Sequence, residues 1–274
     1  MKTKKPGSNG RISSMWMECL DCGWMDEFDP NVIDCAQCGS QWIEARYDYA
    51  KIGKNLIERL QGRPFDLWRY KELLPIRNHN TALCMGEGGT PLIPAANLGM
   101  MLGCPNIYIK DERQGPTSSF KDRQAAVGVA GLKEAGITEA VLASTGNVAI
   151  AYSAYAARAG IKLWAFLTSL VPAEKMREVA IYGTQVIKVT ASYDKAKQVA
   201  AQFARQRGLY LERGARSIPS VEAMKTVAFE IAEQISALHK DDSETDSRTL
   251  WRTPDWYVQA VSGGLGPYGV QKGF

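Results

Sequence analysis

The chain contains 274 residues, of which 45% are hydrophobic and 23% charged, and its formal net charge at pH 7 is +4. This composition is typical of a soluble globular protein, and the small charge on scattered basic residues argues against a nucleic-acid-binding protein. No apolar run reaches the roughly 18 residues of a membrane span, and the N-terminus lacks the apolar core of a signal peptide, so we expect a cytoplasmic protein without membrane segments.

The first part of the chain divides into a polar tip, residues 1–14, and a cysteine-rich unit, residues 15–45. We expect the tip to be disordered, because it is polar and contains glycine. The unit contains two pairs of cysteines, each with two residues between its members, and twelve residues separate the pairs. In a cytoplasmic chain this spacing favours metal binding over disulfides. The candidate ligands are Cys19, Cys22, Cys35 and Cys38.

The glycines of this unit support a zinc ribbon. Gly23 and Gly39 follow the second cysteine of each pair, where a tight knuckle turn needs a residue that can adopt positive φ. Four thiolates on two such turns can surround one Zn²⁺ tetrahedrally, which leaves no open position and predicts a structural role. The unit is rich in acidic residues, which argues against nucleic-acid binding.

The next segments lead into the body of the chain. Residues 46–85 have a polar helical pattern with interruptions, which predicts a connecting arm of short helices. A glycine-rich loop, "GEGGTPLI" at 86–93, follows. The remaining two cysteines, Cys84 and Cys104, stand apart, and we expect them to be small buried residues.

Strand-like and helix-like runs then alternate. This predicts an α/β fold with a mostly parallel sheet and helices on both faces, within a domain at residues 46–274. The predicted strands are 106–110, 139–144, 162–167, 185–190 and 255–261, and the predicted helices are 120–135, 146–160, 173–183, 193–208 and 220–240. The polar, acidic segment 239–249 is typical of a solvated loop.

Three loops stand between a strand and a helix, at the sheet edge where ligands bind in such folds. They are "GPTSSFKDR" at 115–123, "STGN" at 144–147 and "SGGLGP" at 262–267. Glycines in the last loop would let backbone N–H groups close on a phosphate at a helix N-terminus. Each loop can also be explained without a ligand, because glycines are common in tight loops and Ser144 or Thr145 could cap a helix.

A single ligand would use all three loops. Pyridoxal phosphate has a phosphate for the glycine loop, a ring oxygen for Asn147 and an aldehyde for a lysine amine. Lys121 is the candidate lysine, because Arg123 and a helix N-terminus are close in sequence and would lower the pKa of a desolvated amine. On spacing alone a surface charge remains the commoner explanation.

Four motifs occur here in the order found in fold-type II pyridoxal-phosphate enzymes: "GEGGTPL", "SSFKDR", "ASTGN…AYAARAGI" and "SGG…KGF". The chain most resembles the threonine synthase family, many of whose members also begin with a cysteine-rich segment. The resemblance implies that Lys121 binds the cofactor covalently and that Asn147 contacts the ring oxygen. It implies a phosphate pocket lined by Gly263, Gly264, Leu265 and Gly266, and a substrate carboxylate site at Ser144, Thr145 and Gly146.

The chain departs from the family at several positions. Gly115 and Ser118 stand where the family usually has asparagine and glycine. Ser220 stands where threonine synthases often have an arginine that holds the substrate phosphate, and Arg213 or Arg216 would have to replace it. The family also has a further C-terminal portion, so the resemblance implies a truncated chain.

The resemblance implies a lyase that converts O-phospho-L-homoserine and water into L-threonine and phosphate. It leaves two alternatives open: a β-elimination or β-replacement enzyme, such as a threonine/serine dehydratase or a cysteate-synthase-like enzyme, and a truncated inactive chain that acts as an interaction module. We expect pyridoxal phosphate and a structural Zn²⁺ as cofactors, a small amino acid as substrate, and a homodimer, as is common in the family.

Overall fold

The structure is a computed structural model that describes residues 14–30, 32–78, 83–238 and 251–274. The predicted disordered tip, apart from Ser14, and the predicted loop at 239–249 lie outside the described residues.

The cysteine-rich unit is a three-stranded antiparallel sheet, which we call the ribbon (residues 15–47). Strand β1 (Met15–Cys19) lies in the middle, between β2 (Met25–Glu27) and β3 (Ile43–Tyr47). Alternate side chains of β1 are buried, as expected of a strand with one face on a core. That core is shared with the rest of the protein, because Met15 and Met17 belong to the same apolar cluster as Phe229.

The connecting arm is helical, as predicted. It consists of α1 (Tyr49–Gly53), α2 (Leu56–Gln61) and a 3-10 helix (Leu67–Leu73). The Asp48 and Asp66 carboxylates cap α1 and the 3-10 helix by accepting hydrogen bonds from backbone N–H groups.

A two-stranded antiparallel unit precedes the main sheet. Strand β4 (Leu92–Pro94) pairs with β5 (Tyr108–Lys110), and α3 (Ala96–Leu102) connects them. Only β5 was predicted from the sequence, since β4 is three residues long and contains a proline.

The main sheet is parallel, with strand order β8-β7-β6-β9. Its strands are β6 (Glu139–Ser144), β7 (Lys162–Thr168), β8 (Gln185–Val189) and β9 (Tyr210–Leu211). The helices of this part are α4 (Lys121–Glu134), α5 (Asn147–Ala159), α6 (Ala173–Ile181), α7 (Tyr193–Arg207), α8 (Ile218–Leu238) and α9 (Leu265–Gly273). The predicted strands at 139–144, 162–167 and 185–190 and the five predicted helices are confirmed within one to three residues at most ends.

Helices cover both faces of this sheet. On one face, Val141 and Phe166 pack against Ala200 and Ala204 of α7. On the other, Leu142 and its neighbours belong to the large core formed with α4, α5 and α8. Small residues along α4 and α5 permit close packing: a Cβ on Gly128 would lie 2.5 Å from the Tyr152 hydroxyl. The predicted α/β fold is therefore confirmed.

The predicted strand at 255–261 is wrong. Residues 251–260 have no regular secondary structure, and no strand of the described residues pairs with this segment. Trp256 and Val258 are 87% and 90% exposed, so the apolar side chains that suggested a buried strand face solvent. A pattern of apolar residues predicts a strand only where another strand is available to pair with it.

The prediction that Cys84 and Cys104 are buried is also wrong, because both are exposed. Cys84 precedes the glycine-rich loop and Cys104 follows the turn that ends α3, so neither lies on the core side of a helix or strand. Among the described helices, none combines the length and apolar character needed to cross a membrane.

Candidate active site and metal centre

The four paired cysteines converge at one end of the ribbon. Their sulfur atoms all lie within 4.8 Å of one another. The Sγ–Sγ distances are 3.7 Å for Cys19 and Cys38 and 3.6 Å for Cys22 and Cys35. A tetrahedral zinc ion with Zn–S bonds of about 2.3 Å separates its sulfur ligands by roughly 3.8 Å. The geometry and the donor set therefore fit a structural Zn²⁺.

Two knuckle turns build this site, as the glycines predicted. Gly23 and Gly39 have φ of +71° and +72°, and their N–H groups donate to the carbonyls of Cys19 and Cys35. Burial alone would raise the pKa of the Cys19 thiol, but nearby backbone N–H groups and thiols lower it to about 7. Cys19 therefore readily reaches the thiolate form that binds metal.

Lys121 is the first residue of α4 and is half-buried. Burial lowers the pKa of its ammonium group. The Nζ atom lies 4.1 Å from the centroid of the Phe120 ring, and within the described part of the chain it has no hydrogen-bond acceptor or carboxylate partner. An unpaired amine with a lowered pKa is suited to act as a nucleophile.

The loop before Lys121 gives a reason for glycine at position 115 and none for serine at position 118. The Asp122 carboxylate accepts a hydrogen bond from the Thr117 N–H at 2.9 Å and another from the Thr117 hydroxyl. A Cβ on Gly115 would overlap this carboxylate, so only glycine fits there. Ser118 has φ of +55°, a left-handed conformation that glycine adopts at lower cost.

A buried charge network holds the start of α4. Arg123 is 1% exposed, and its guanidinium donates to Glu112 at 2.7 Å and to Glu230 of α8 at 2.5 Å. Lys110, at the end of β5, binds the same Glu230 carboxylate at 2.7 Å. Burial raises the pKa of Glu230, but the two cations outweigh it and lower that pKa to about 2. The network fixes the helix turn that carries Lys121 relative to α8 and β5.

The "STGN" loop follows β6 and begins α5. The Ser144 hydroxyl is buried and accepts hydrogen bonds from the N–H groups of Gly146 at 3.1 Å and Ala149 at 3.2 Å. Ser144 therefore stabilises the N-terminus of α5, while Thr145 is exposed.

Lys175, from the first turn of α6, lies across this loop. Its Nζ donates to Asn147 Oδ1 at 2.8 Å and lies 3.2 Å from the position of a Cβ on Gly146. The contact with Lys175 orients the Asn147 amide and leaves its NH₂ group available to donate to a second partner. We did not predict Lys175 from the sequence. Its position in the segment that follows β7 could have indicated it, because the residues that follow parallel strands lie along the same edge of a sheet.

The glycine loop lies at the N-terminus of α9. Gly264 has φ of +80°, and no side chain caps the helix. A Cβ on Gly263 or Gly264 would meet nothing within 4 Å, so the approach to the first N–H groups is open on this side. Pro267 occupies the first turn, where a missing N–H costs no hydrogen bond. An uncapped helix N-terminus with an open approach fits a phosphate group.

The structure places each predicted cofactor loop at the N-terminus of a different helix. Lys121 begins α4 and Asn147 begins α5, and these two helices pack against each other. Across residues 14–30, 32–78, 83–238 and 251–274, no hydrogen bond or ion pair joins Lys121 to loop 144–147 or to loop 262–267. The cysteine side chains thus contact one another directly, whereas Lys121 makes no hydrogen bond or ion pair to the other two loops within the described residues.

Ser220, which stands at the arginine position of the family, is fully buried. Its hydroxyl donates to Glu212 at 3.0 Å and contacts the Tyr152 hydroxyl at 2.9 Å. Burial raises the pKa of the Glu212 carboxyl. The Ser220 hydroxyl is therefore engaged in buried hydrogen bonds with Glu212 and Tyr152, and it supplies no positive charge for a substrate phosphate.

The two arginines considered as replacements point to the ribbon instead. Arg213 donates to the Ile33 carbonyl at 3.0 Å, and Arg216 donates to the Gln41 side chain. The suggestion that either arginine holds a phosphate is therefore not supported by its contacts.

Comparison with known proteins identifies related sequences. A family model described as "Pyridoxal-phosphate dependent enzyme" matches residues 83–274. The chain is 33% identical over 262 residues to the threonine synthase of Methanocaldococcus jannaschii, which covers 95% of this chain and 60% of the relative. It is 30% identical over 259 residues to the threonine synthase of Methanosarcina acetivorans, covering 94% and 59%. The chain thus spans about 60% of the length of these curated relatives.

Solved structures have a similar fold. The processed form of threonine deaminase isoform 2 from Solanum lycopersicum aligns with a TM-score of 0.50 at 25% identity, over 53% of this chain and 40% of the other. Diaminopropionate ammonia lyase from Escherichia coli, in complex with D-serine, aligns with a TM-score of 0.55 at 18% identity, over 60% of this chain and 48% of the other.

Proposed function

Because this chain belongs to the pyridoxal-phosphate-dependent enzymes, we propose that it is a threonine synthase-like lyase, which converts O-phospho-L-homoserine and water into L-threonine and phosphate. The observation that carries the proposal is the similarity to two archaeal threonine synthases over 95% and 94% of the chain. This similarity extends N-terminally beyond residues 83–274, into the part that contains the ribbon.

The proposed cofactor site uses the residues whose surroundings suit each part of pyridoxal phosphate. The Lys121 amine has no competing acid, so it is free to hold the aldehyde carbon. The Asn147 amide, oriented by Lys175, would donate to the ring oxygen. The phosphate would lie at the uncapped start of α9, near Gly263, Gly264, Leu265 and Gly266.

When bound, pyridoxal phosphate supplies an electron sink for the charge that develops at the substrate α carbon. In the proposed reaction, the Lys121 amine accepts and returns protons at the α and β carbons of the substrate. Ser144, Thr145 and Gly146 would bind the substrate carboxylate. The Ser144 oxygen accepts both of its hydrogen bonds from backbone N–H groups, so the hydroxyl proton remains available to donate.

Zn²⁺ at the four-cysteine cluster would have a structural role, because all four donors are thiols and no coordination position is left for substrate. Reduced metal ligands are consistent with a cytoplasmic location. We also propose a homodimer, on the resemblance to the family alone.

A second candidate is a β-elimination or β-replacement enzyme that acts on an unphosphorylated amino acid. The observation that favours it is the buried contact of Ser220 with Glu212, which leaves no cation at the position where the family holds the substrate phosphate. The similarity to threonine deaminase supports the same alternative.

Product analysis separates the two candidates. The purified protein, loaded with pyridoxal phosphate and zinc, is incubated with O-phospho-L-homoserine, L-serine, L-threonine or O-phospho-L-serine. We expect threonine and phosphate in equal amounts from the first substrate and no 2-oxo acid from the others. Release of 2-oxo acid without phosphate turnover would instead support the dehydratase.

The cofactor itself is tested by absorbance. Wild-type protein should acquire a visible absorption band with added pyridoxal phosphate, and sodium borohydride should then attach the cofactor to the peptide that contains Lys121. Lys121→Ala protein serves as the control and should acquire neither the band nor the label. A colourless wild-type protein would favour the third possibility, an inactive chain whose ribbon is an interaction module.

A further inference from the structure

We propose that the ribbon positions the glycine loop through helix α9, so that metal binding at the cysteines and cofactor binding at the loop strengthen each other. The inference rests on the proposed cofactor site, and Tyr268 and Lys272 of α9 are its positioning residues.

The position of the glycine loop depends on α9, because the chain before it is not part of a sheet. Residues 251–260 have no regular secondary structure, and Val261, just before the loop, is 67% exposed. A loop after a sheet strand is held by the hydrogen bonds of that strand, and this loop lacks such support. Whatever holds α9 therefore holds the N–H groups that would bind the phosphate.

One side of α9 is held by α8. A Cβ on Gly269 would lie 2.5 Å from the Val221 carbonyl oxygen, and a Cβ on Gly273 would lie 2.7 Å from Ala228 Cβ. The two glycines thus let the helices approach closely, which fixes their separation. Leu265 and Val270 of α9 are also buried in the large core, so polar contacts add to this packing in fixing the position of α9.

The polar contacts of α9 come from the ribbon and, through Glu222, from α8. The Tyr268 hydroxyl donates to Glu44, and the Lys272 ammonium donates to the Ala45 carbonyl at 2.9 Å. Lys272 also lies 3.6 Å from the Glu44 carboxylate. Both acceptors belong to β3, so a single ribbon strand contacts α9 one turn apart, at Tyr268 and Lys272.

The same strand is joined to the metal site. In the register of the ribbon, Cys19 on β1 is paired with Ile43 on β3, and Glu18 is paired with Glu44. Glu44 therefore lies next to the residue that pairs with a metal ligand. If the cysteines do not bind metal, the unit loses the folding energy of metal binding at the cysteine end, next to Glu44, and keeps the apolar cluster that it shares with Phe229. The acceptors on β3 would then lose their fixed position.

Buried charge makes this contact costly to lose. Lys272 donates to Glu222 at 2.5 Å, and Glu222 also binds Lys225 at 2.5 Å. Glu222 and Lys225 are each 1% exposed, and the Lys225 ammonium lies 3.9 Å from the Tyr47 ring centroid. Without Glu44, two ammonium groups would share one buried carboxylate, and α9 would move to let Lys272 reach water.

The first test compares cofactor affinity in metal-loaded and metal-stripped wild-type protein. Pyridoxal phosphate is titrated and followed by absorbance, and bound zinc is measured by elemental mass spectrometry. We expect removal of zinc to weaken cofactor binding by about tenfold or more. Since linkage is reciprocal, saturating pyridoxal phosphate should strengthen zinc binding by the same factor. Equal cofactor affinity with and without metal would refute the coupling.

The second test keeps the metal and breaks the contact. Tyr268→Phe and Lys272→Met should each retain one zinc per chain yet bind pyridoxal phosphate about three- to tenfold more weakly, as expected for the loss of one hydrogen bond or one buried charge contact. Arg213→Gln is the matched control, because it removes a ribbon contact that does not involve α9. It should leave cofactor affinity unchanged.

The outcomes distinguish the two proposals. If metal-loaded wild-type protein does not bind pyridoxal phosphate, the proposed function fails and the coupling fails with it. If wild type binds the cofactor but Tyr268→Phe and Lys272→Met match wild type, only the coupling is refuted. If metal removal unfolds the whole chain, as circular dichroism would reveal, these two variants alone decide the question.

Discussion

The buried pair of Arg123 and Glu230 allows a quantitative prediction for Glu230→Gln. Glutamine has nearly the shape of glutamate, so the substitution removes the charge and leaves most of the packing. Arg123 is 1% exposed and would keep only Glu112 as an ion-pair partner. Breaking a buried ion pair by removing one partner usually costs about 3–5 kcal/mol, because the other charge stays buried.

The pKa of Glu230 gives an independent magnitude. Its lowering from the usual value of 4.5 to about 2 corresponds to roughly 3 kcal/mol of stability at neutral pH. The folded-state pKa lies below the unfolded-state value, so this stability is present above pH 4.5 and is lost as the pH falls towards 2. The difference between wild type and Glu230→Gln should therefore shrink over that range.

The assay is urea unfolding of the cofactor-free proteins, followed by circular dichroism at several pH values between 2.5 and 7. We expect Glu230→Gln to be less stable than wild type by about 3 kcal/mol at pH 7 and by much less at pH 3. Glu139→Gln is the control, since the ion pair of Glu139 and Lys162 is exposed and its loss should cost under about 1 kcal/mol. A Glu230→Gln difference below about 1 kcal/mol at pH 7, or one that does not change with pH, would refute the reasoning.

Three further predictions concern the loops and the cysteines. Ser118→Gly should raise the free energy of unfolding by up to about 1 kcal/mol, because position 118 has positive φ. Ser119→Gly, at a position without positive φ, should lower the free energy of unfolding. Urea unfolding measures both variants. Lys175→Met should weaken pyridoxal-phosphate binding about threefold to tenfold, because the Asn147 amide loses the hydrogen bond that orients it. An absorbance titration measures this affinity. An unchanged affinity would show that the contact does not orient the amide. In zinc-loaded protein only Cys84 and Cys104 should react with iodoacetamide, since both are exposed and lie outside the four-cysteine cluster. Cys84 should react the more slowly of the two, because burial raises the pKa of its thiol. A chelator should make all six cysteines reactive, and rapid labelling of all six before chelation, detected by mass spectrometry, would contradict a four-cysteine metal site.

The parts of the fold that could be predicted from the sequence are those set by local pattern. β6, β7 and α5 were placed closely because their apolar residues and flanking glycines specify both type and length. The convergence of the four cysteines was predictable for the same reason, since the paired cysteines and the knuckle glycines are close in sequence.

Features that depend on distant partners were not predictable. The prediction of a strand at 255–261 was wrong because no strand of the described residues pairs with this segment. Strand β9 was missed because it has only two residues. Arg123 is separated from Glu230 by about a hundred residues, and no periodicity relates them. The departure at Ser220 was visible in the sequence, but its contact with Glu212 was not.

The shared core of the ribbon has a consequence for the order of events during synthesis. The proposed metal ligands lie between Cys19 and Cys38, so they could capture an ion as soon as this short segment leaves the ribosome. Met17, on the apolar face of the same unit, packs in one cluster with Phe229, which is synthesised roughly 10–40 s later at usual translation rates. During that interval the bound ion would be the main force keeping the nascent ribbon folded, with its apolar face exposed to chaperones. Zinc supply would therefore affect the yield of folded protein more strongly during translation than after it.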